Sequence, residues 1–214
     1  KDDNLAAGFR ISGLGHLVQP DAPVCSEALG NCRPFTTYLP PGYGAPVNAD
    51  RTYPVIYMHD GQNLYDDTDC CFGHTGWEVN VLLDQEIAAG TVEAAVVVGF
   101  DHAGDRRGDE YAYAEADGGE LETFMEFQVT GVQPTAEALW RLDPARRFVA
   151  GSSFGGHVSL RLAYAYPSVY RAAVSLSGAF WPGMDTGHAL RDVIEAQGQV
   201  PVAIYQDHGG TTGD

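Results

Sequence analysis

Basic residues are scarce in this sequence. Its 12 lysines and arginines stand against 29 aspartates and glutamates, a formal net charge of −17. A chain this acidic repels phosphate backbones, which argues against nucleic acid as a partner and against polyanionic substrates. Long apolar runs are missing as well. The most apolar stretch, Ala94-Ala95-Val96-Val97-Val98-Gly99-Phe100, is far too short to cross a bilayer and reads as a buried strand. There are four cysteines, and neither Cys25/Cys32 nor Cys70/Cys71 has the two-residue gap that suits tetrahedral zinc ligation. No His-Glu-x-x-His spacing occurs, so a metallohydrolase reading has no motif behind it. No cofactor is expected. There is no internal repeat, low-complexity tract or interdomain linker. At 214 residues with 44% hydrophobic content, residues 1–214 read as one domain able to bury a real core.

The cysteines say something about compartment. Cys25 and Cys32 bracket a short loop and suit a local disulfide. Cys70 and Cys71 are adjacent, which leaves either a vicinal bridge or pairing to distant partners. An even count in loops points to an oxidising compartment, secreted or periplasmic. Reduced, inert cysteines in a cytoplasmic protein are the alternative. The chain opens on Lys1 with no signal peptide. A processed secreted protein opens this way, and so does a trimmed chain.

Residues 1–32 read as an irregular N-terminal extension. Phe35–Leu39 reads as a strand closed by Pro40-Pro41-Gly42, and Tyr53–Met58 as the next. A polar loop from His59 to Phe72 precedes a helix over Trp77–Ala89, with Gly90 as its stop. Ala94–Phe100 is a strand. Asp101–Gly119 is a long loop rich in Asp, Gly and Tyr. Leu121–Val132 reads as a helix, and Pro134 and Asp143-Pro144 punctuate the stretch after it. Arg147–Ala150 is a strand, His157–Tyr166 a helix, Ala172–Ser177 a strand, His188–Ala196 a helix and Val200–Tyr205 a final strand. Strands that alternate with helices, several of them continuously apolar, predict an α/β fold with a mostly parallel sheet covered on both faces. Ligands bind such sheets at the carboxyl ends of strands, where Ser153 and the loops at His59, Asp101, Gly178 and His208 all fall.

Gly151-Ser152-Ser153-Phe154-Gly155 is the most informative stretch. It reads as a Gly-x-Ser-x-Gly turn between a strand and a helix, with Ser153 exposed at its tip. The residues two before and two after the serine crowd strand against helix, so both must be small, and Gly156 adds room. The helix after it aims first-turn amides at the place where an oxyanion would form.

Several segments together resemble the putative-esterase group of α/β-hydrolases, which includes esterase D-like and enterochelin esterase-like proteins. They are Tyr38-Leu39-Pro40-Pro41-Gly42-Tyr43, Tyr53 to Leu64, Val97 to Asp101, Ala150 to Gly156 and Ser175 to Trp181. The likeness runs from about residue 34 to the C-terminus. It implies an α/β-hydrolase fold and a Ser–acid–His triad acting on carboxylic esters, with Ser153 as nucleophile. It implies an oxyanion hole from the N–H of Phe154 and a donor in the Asp60-Gly61-Gln62 turn, with Gln62 favoured and Gly61 beside the substrate. His59 and Asp60 are expected to brace that turn. A metal on Asp60 with Asp66, Asp67 or Asp69 is the weaker reading against a solvated loop. The acid should follow the last strand, at Asp214 or, second, Asp207. Chain order then puts the histidine after the acid, where this sequence ends, so a C-terminal part is expected to be missing. His208 and His157 are poor substitutes, and His16, His74, His102 and His188 have no positional argument. Pocket walls are sought among Tyr65, Trp77, Tyr111, Tyr113, Phe180 and Trp181, with Trp181 preferred and Trp77 read as packing on its helix. The implied substrate is a small-molecule or carbohydrate-linked ester of sugar, phenolic or siderophore type. An acyltransferase or a non-catalytic binding module with a hydrolase fold are the alternatives.

Overall fold

The computed structural model describes residues 10–12, 15–65, 76–113, 118–180 and 186–208. Its strands are β1 (Arg10–Ser12), β2 (Gly15–Val18), β3 (Val24–Ser26), β4 (Asn31–Arg33), β5 (Phe35–Leu39), β6 (Tyr53–His59), β7 (Val96–Phe100), β8 (Leu142–Ser152), β9 (Ala172–Leu176) and β10 (Ala203–Gln206). Its α-helices are α1 (Val79–Ala89), α2 (Arg107–Tyr111), α3 (Leu121–Phe127), α4 (Gln133–Leu139), α5 (Phe154–Ala165) and α6 (Thr186–Gln197). The described strands form one large sheet in the order β1-β2-β5-β7-β6-β8-β9-β10, with β3 and β4 as a separate hairpin. From β7 to β10 the pairs are parallel, and β5, β2 and β1 extend the other edge antiparallel.

The apolar runs sit where burial on both faces demands them. Val55, Tyr57, Val96, Val97, Val98, Phe100 and Val149 are wholly buried in the sheet centre. Helix α5 packs on β8 and β9 and is buried almost all round. Even its Arg161 is tucked in, at 3.0 Å from Glu122.

Four features depart from the sequence reading. Residues 1–32 are not simply irregular, because β1 to β4 lie within residues 10–33. Three- and four-residue strands carry too little alternation to be seen, and these hold by pairing on the β5 edge or, for β3 and β4, by the Cys25–Cys32 disulfide. The Asp101–Gly119 loop contains α2, closed by bonds from the Ala112 and Tyr113 amides to the Gly108 carbonyl. Pro134 does not end a helix. A π turn over Gln128–Val132 joins α3 to α4, and Pro134 falls in the first turn of α4, where a missing N–H does no harm. Pro144 likewise lies inside β8. The register with β6 slips from Tyr53↔Leu142 to Val55↔Arg147, and that irregularity absorbs a residue that cannot donate.

The tightest crossing is β8 against α5. A Cβ on Gly151 would lie 2.5 Å from the Gly155 carbonyl carbon and oxygen, both backbone. Gly44 has open space around it. Gly151→Ala is expected to destabilise the protein by roughly 2 kcal/mol or more, lowering Tm by about 5 °C. Gly44→Ala should stay within about 0.5 kcal/mol of the parent in the same calorimetric melt.

Candidate active site

Strand β8 ends at Ser152 and α5 begins at Phe154, so Ser153 makes the whole turn alone. Its backbone is at φ 56°, ψ −122°, a region that serine avoids. The turn is held from three sides. The Ser153 amide donates to the Leu176 carbonyl at 3.0 Å, and the Ser153 carbonyl accepts from Ala179 (3.0 Å) and His157 (3.1 Å). Small residues make the bend sterically open. A Cβ on Gly155 would lie 3.1 Å from Asp60 Oδ2, and one on Gly156 would lie 2.7 Å from Ser175 Oγ. Ser153 is half-buried and lines a cavity of about 390 Å³ with Asp60, Asn63, Trp77, His102, Arg107 and Ser152. The positive end of the α5 dipole lies one residue past the serine.

The facing wall comes from the turn after β6. Asp60 adopts φ 60°, ψ 52°, and its carbonyl accepts from the Asn63 amide at 2.8 Å, closing the short 3-10 turn Gly61–Asn63. Gly61 passes so close to β7 that a Cβ would lie 2.6 Å from the Gly99 carbonyl. Gln62 sits between two cavity residues, Asp60 and Asn63. Its side chain turns to the next strand end, where Oε1 accepts from the His102 amide at 3.4 Å.

The Asp60 carboxylate is buried and fully claimed. Arg107 Nε donates to Oδ1 at 2.7 Å and Nη2 to Oδ2 at 2.8 Å. The guanidinium also stacks over Tyr111 and Phe154, 5.5 and 5.4 Å from their ring centres. Burial disfavours the Arg107 charge, but the hydrogen-bonded Asp60 outweighs it and holds the group above its ordinary value. Sequence reasoning missed Arg107 and Asn63. The usable signal for Arg107 was Asp60 itself: a carboxylate at a buried turn needs a cation, and Arg106-Arg107 lie in the next candidate loop.

Each histidine near the serine has a definite duty. His59 is wholly buried, with Nδ1 at 3.1 Å from the Ala150 carbonyl and 3.0 Å from Ser159 Oγ. Ser159 gives its own proton to the Gly155 carbonyl at 2.7 Å, so both neighbours accept and Nδ1 carries the hydrogen. Nε2 lies 3.0 Å from Gln128 Oε1, so with the proton on Nδ1 that side-chain amide must turn its NH2 toward the ring. His157 is buried with Nδ1 at 2.8 Å from the Tyr111 carbonyl. His102 lines the cavity, which its sequence position did not announce. Its Nδ1 accepts from the Gly104 amide at 2.9 Å, and burial lowers its pKa, so the neutral ring carries its proton on Nε2 and presents a donor.

At the far side, Asp207 Oδ1 accepts from the Ser177 amide at 2.7 Å and its own amide donates to the Ser175 carbonyl at 3.2 Å. This clasps the ends of β9 and β10, beside the Ser177–Ala179 turn that bonds Ser153. Burial also lifts Asp101, at the end of β7, to about 6. Among the aromatic candidates, Trp77 lines the cavity, whereas Tyr65 and Tyr111 are core residues. Asp214, Trp181, His74, Cys70, Cys71, Asp66, Asp67 and Asp69 lie outside the described residues. Among the described residues no cluster of three His, Cys, Asp or Glu side chains could hold a metal, and no helix is long and apolar enough to cross a membrane.

The strand order, the strained serine turn and the helix behind it define an α/β-hydrolase. Residues 26–211 match the Putative esterase family, and the chain belongs to that family. It is 26% identical over 168 residues to the Uncharacterized protein YbbA of Bacillus subtilis (strain 168). That match covers 73% of this chain and 60% of the relative, less than two thirds of its length. Siderophore hydrolase EstB from Aspergillus nidulans is structurally similar, with a TM-score of 0.68 at 16% identity over 93% of this chain and 71% of that one. A ferulic acid esterase gives 0.61 at 16% identity, covering 92% of each chain. At such identities the likeness carries the fold.

Burial depresses the His59 pKa to about 4, against about 6.5 when unfolded. The folded state therefore holds the neutral ring, and His59 contributes in full above pH 6.5. Its contribution is lost as pH falls toward 4, amounting to about 2.5 kcal/mol at about pH 4.5. Urea unfolding at about pH 7 and pH 4.5 should show His59→Gln losing that much less stability than the parent over the same interval.

Proposed function

We propose that this protein is a serine carboxylesterase working through an acyl-enzyme on Ser153. The observation that carries the reading is a serine held at positive φ, at a helix N-terminus, with its side chain on a cavity of about 390 Å³. A strained backbone is retained where it positions a reacting group. In this reading Ser153 Oγ attacks the ester carbonyl. The N–H groups of Phe154 and Gln62 receive the oxyanion, each such donor contributing about 3 kcal/mol to the transition state. Gly61 lets the turn that bears Gln62 lie close to the end of β7.

The acid is assigned to Asp214, with Asp207 second, and the base to a histidine that follows it in the chain. The geometry supports looking there. His59 and His157 are buried and hydrogen-bonded, and His102 presents a donor rather than a lone pair. Asp207 already receives the Ser177 amide, which favours Asp214.

The substrate is assigned as an ester with a flat or polar acyl or alcohol group, of the feruloyl, carbohydrate or siderophore kind. Trp77 supports a stacked ring, with Trp181 as a second wall, and the similar structures carry the names of ferulic acid and siderophore hydrolases. The Cys25–Cys32 disulfide supports a secreted or periplasmic location.

A fluorophosphonate probe is expected to label the peptide carrying residues 151–156, read by mass spectrometry. Ser153→Ala should abolish that label and lower p-nitrophenyl acetate hydrolysis by at least about 10³-fold. A full-length protein that neither labels nor turns over the ester is a binding module on a hydrolase fold, and the enzyme reading fails.

A further inference from the structure

We propose that the disulfide-closed hairpin β3–β4 is a positioning device for the cavity, acting through Glu110 on α2 and so on Arg107. Glu110 is wholly buried. Its Oε1 accepts from Asn31 Nδ2 at 2.9 Å and Arg33 Nη2 at 2.8 Å, both on β4. Arg33 is itself buried, bonded to Asn31 Oδ1 at 2.9 Å and lodged against the Phe124 and Phe127 rings. One residue before α2, Arg106 Nη1 donates to the Leu29 carbonyl in the hairpin loop at 2.6 Å. The hairpin thus grips α2 and its leading residue by three hydrogen bonds, two donated by the hairpin and one accepted by it. Arg107 lies three residues before Glu110 on the same helix, with its guanidinium on Asp60 and on the cavity that Ser153 shares.

Neither partner in this grip is stable by itself. A five-residue helix is far below the length at which a helix holds unaided. The hairpin has three residues per strand and no place in the main sheet. An isolated two-stranded ribbon of that size is marginal in water. Cys25 and Cys32 face each other in register and are bridged, which supplies what the ribbon lacks. The buried Arg33–Glu110 pair makes the docking close to all-or-none, since separating its members would leave a charge uncompensated in the interior. Loosening the hairpin therefore frees α2 and lets Arg107 leave the cavity wall. The elbow stands on β8 and α5, which the hairpin bonds do not reach directly; α2 meets α5 at the Tyr111 carbonyl, 2.8 Å from His157 Nδ1, and where Arg107 stacks on Phe154. The kinetic consequence of the proposal rests on the esterase reading; the structural one does not.

The test is hydrogen exchange and kinetics on the double variant Cys25→Ser/Cys32→Ser. Amides in the 104–113 segment should exchange about tenfold faster or more, while those of α5 change far less. KM for p-nitrophenyl esters should rise several-fold, by more than kcat falls, and fluorophosphonate labelling of Ser153 should persist. If the double variant does not fold, Asn31→Ala, which removes one of the two donors to Glu110, should give the same pattern at smaller amplitude. Unchanged exchange over 104–113 in both variants overturns the proposal. So does acceleration that runs equally through α5, because that is global loss of stability. Faster α2 exchange with unchanged KM overturns the link to the cavity. A parent protein that never labels at Ser153 overturns the esterase reading alone, and leaves the exchange result to decide the device.

Discussion

The Asp60–Arg107 pair is the interaction on which the cavity depends. Asp60 closes β6 in a left-handed turn, with its side chain only 2% exposed. Moving a carboxylate out of water costs several kcal/mol unless the interior answers it. Arg107 answers with two parallel hydrogen bonds, the strongest form such a pair takes. This dictates other features. A helix must cross the mouth of β7 to deliver the guanidinium, so the loop after β7 cannot be featureless. That helix must in turn be fixed from outside, which is where Glu110, Arg33 and the N-terminal hairpin enter. The same pair brings Gly155 under Asp60 and so ties the β6 turn to the serine turn.

Beneath the pair lies a second polar layer with a different task. His59, Ser159, Gln128, Gln133 and Tyr170 form a buried polar chain, each side chain within hydrogen-bond distance of the next. Apolar residues would fill this space at less risk, since each polar group left unpaired in the interior costs about 1–3 kcal/mol. What apolar residues lack is direction. His59 reaches the β8 carbonyl just before the elbow and the hydroxyl one turn into α5, so it sets strand and helix relative to each other across the bend. The π turn at Gln128 brings that amide onto the ring, and the same irregularity carries the helix past Pro134.

The parallel half of the fold was legible because it rests on strong local signals. Continuous apolar runs near Val55, Val97 and Val149 have one stable destination, the middle of a sheet. The serine turn was legible because Gly151 meets the Gly155 backbone, where a Cβ would lie at 2.5 Å, and Gly155 passes the Asp60 and His59 side chains, where one would lie at 3.1 Å. Short strands were not legible, since three residues of β3 carry no periodicity and their pairing is decided by Cys25 and Cys32 at a distance. Arg107 and His102 were hidden for a related reason. Their importance comes from what lies across the cavity, and spacing along the chain encodes no such neighbour. Trp77 was read as helix packing because apolar spacing continues through it, and it does pack against the buried cluster of Met58, Leu64 and Val97 as well as lining the cavity. The helix in fact starts at Val79, after the Trp77 and Val79 amides bond back to Asn63 and Leu64, and this places the indole on the cavity.

Backbone strain follows the same geography. Among the described residues, four that are not glycine have positive φ: Asp60, Glu78, Ser153 and Ser177. Asp60 and Ser153 line the cavity, Glu78 follows Trp77, and Ser177 stands two residues before the amide that bonds Ser153. Each such conformation costs on the order of 1–3 kcal/mol, so chance placement of all four around one 390 Å³ space would waste stability without purpose. Their supports are also shared. Asp207 holds Ser177, the Ala179 amide after Ser177 holds Ser153, and Arg107 holds Asp60, beside which Gly155 passes. A strained turn so connected cannot relax alone, because its neighbours must give at the same time. Rigidity at the serine is thus a property of the ring of turns, and fixes the hydroxyl more closely than any one of them could.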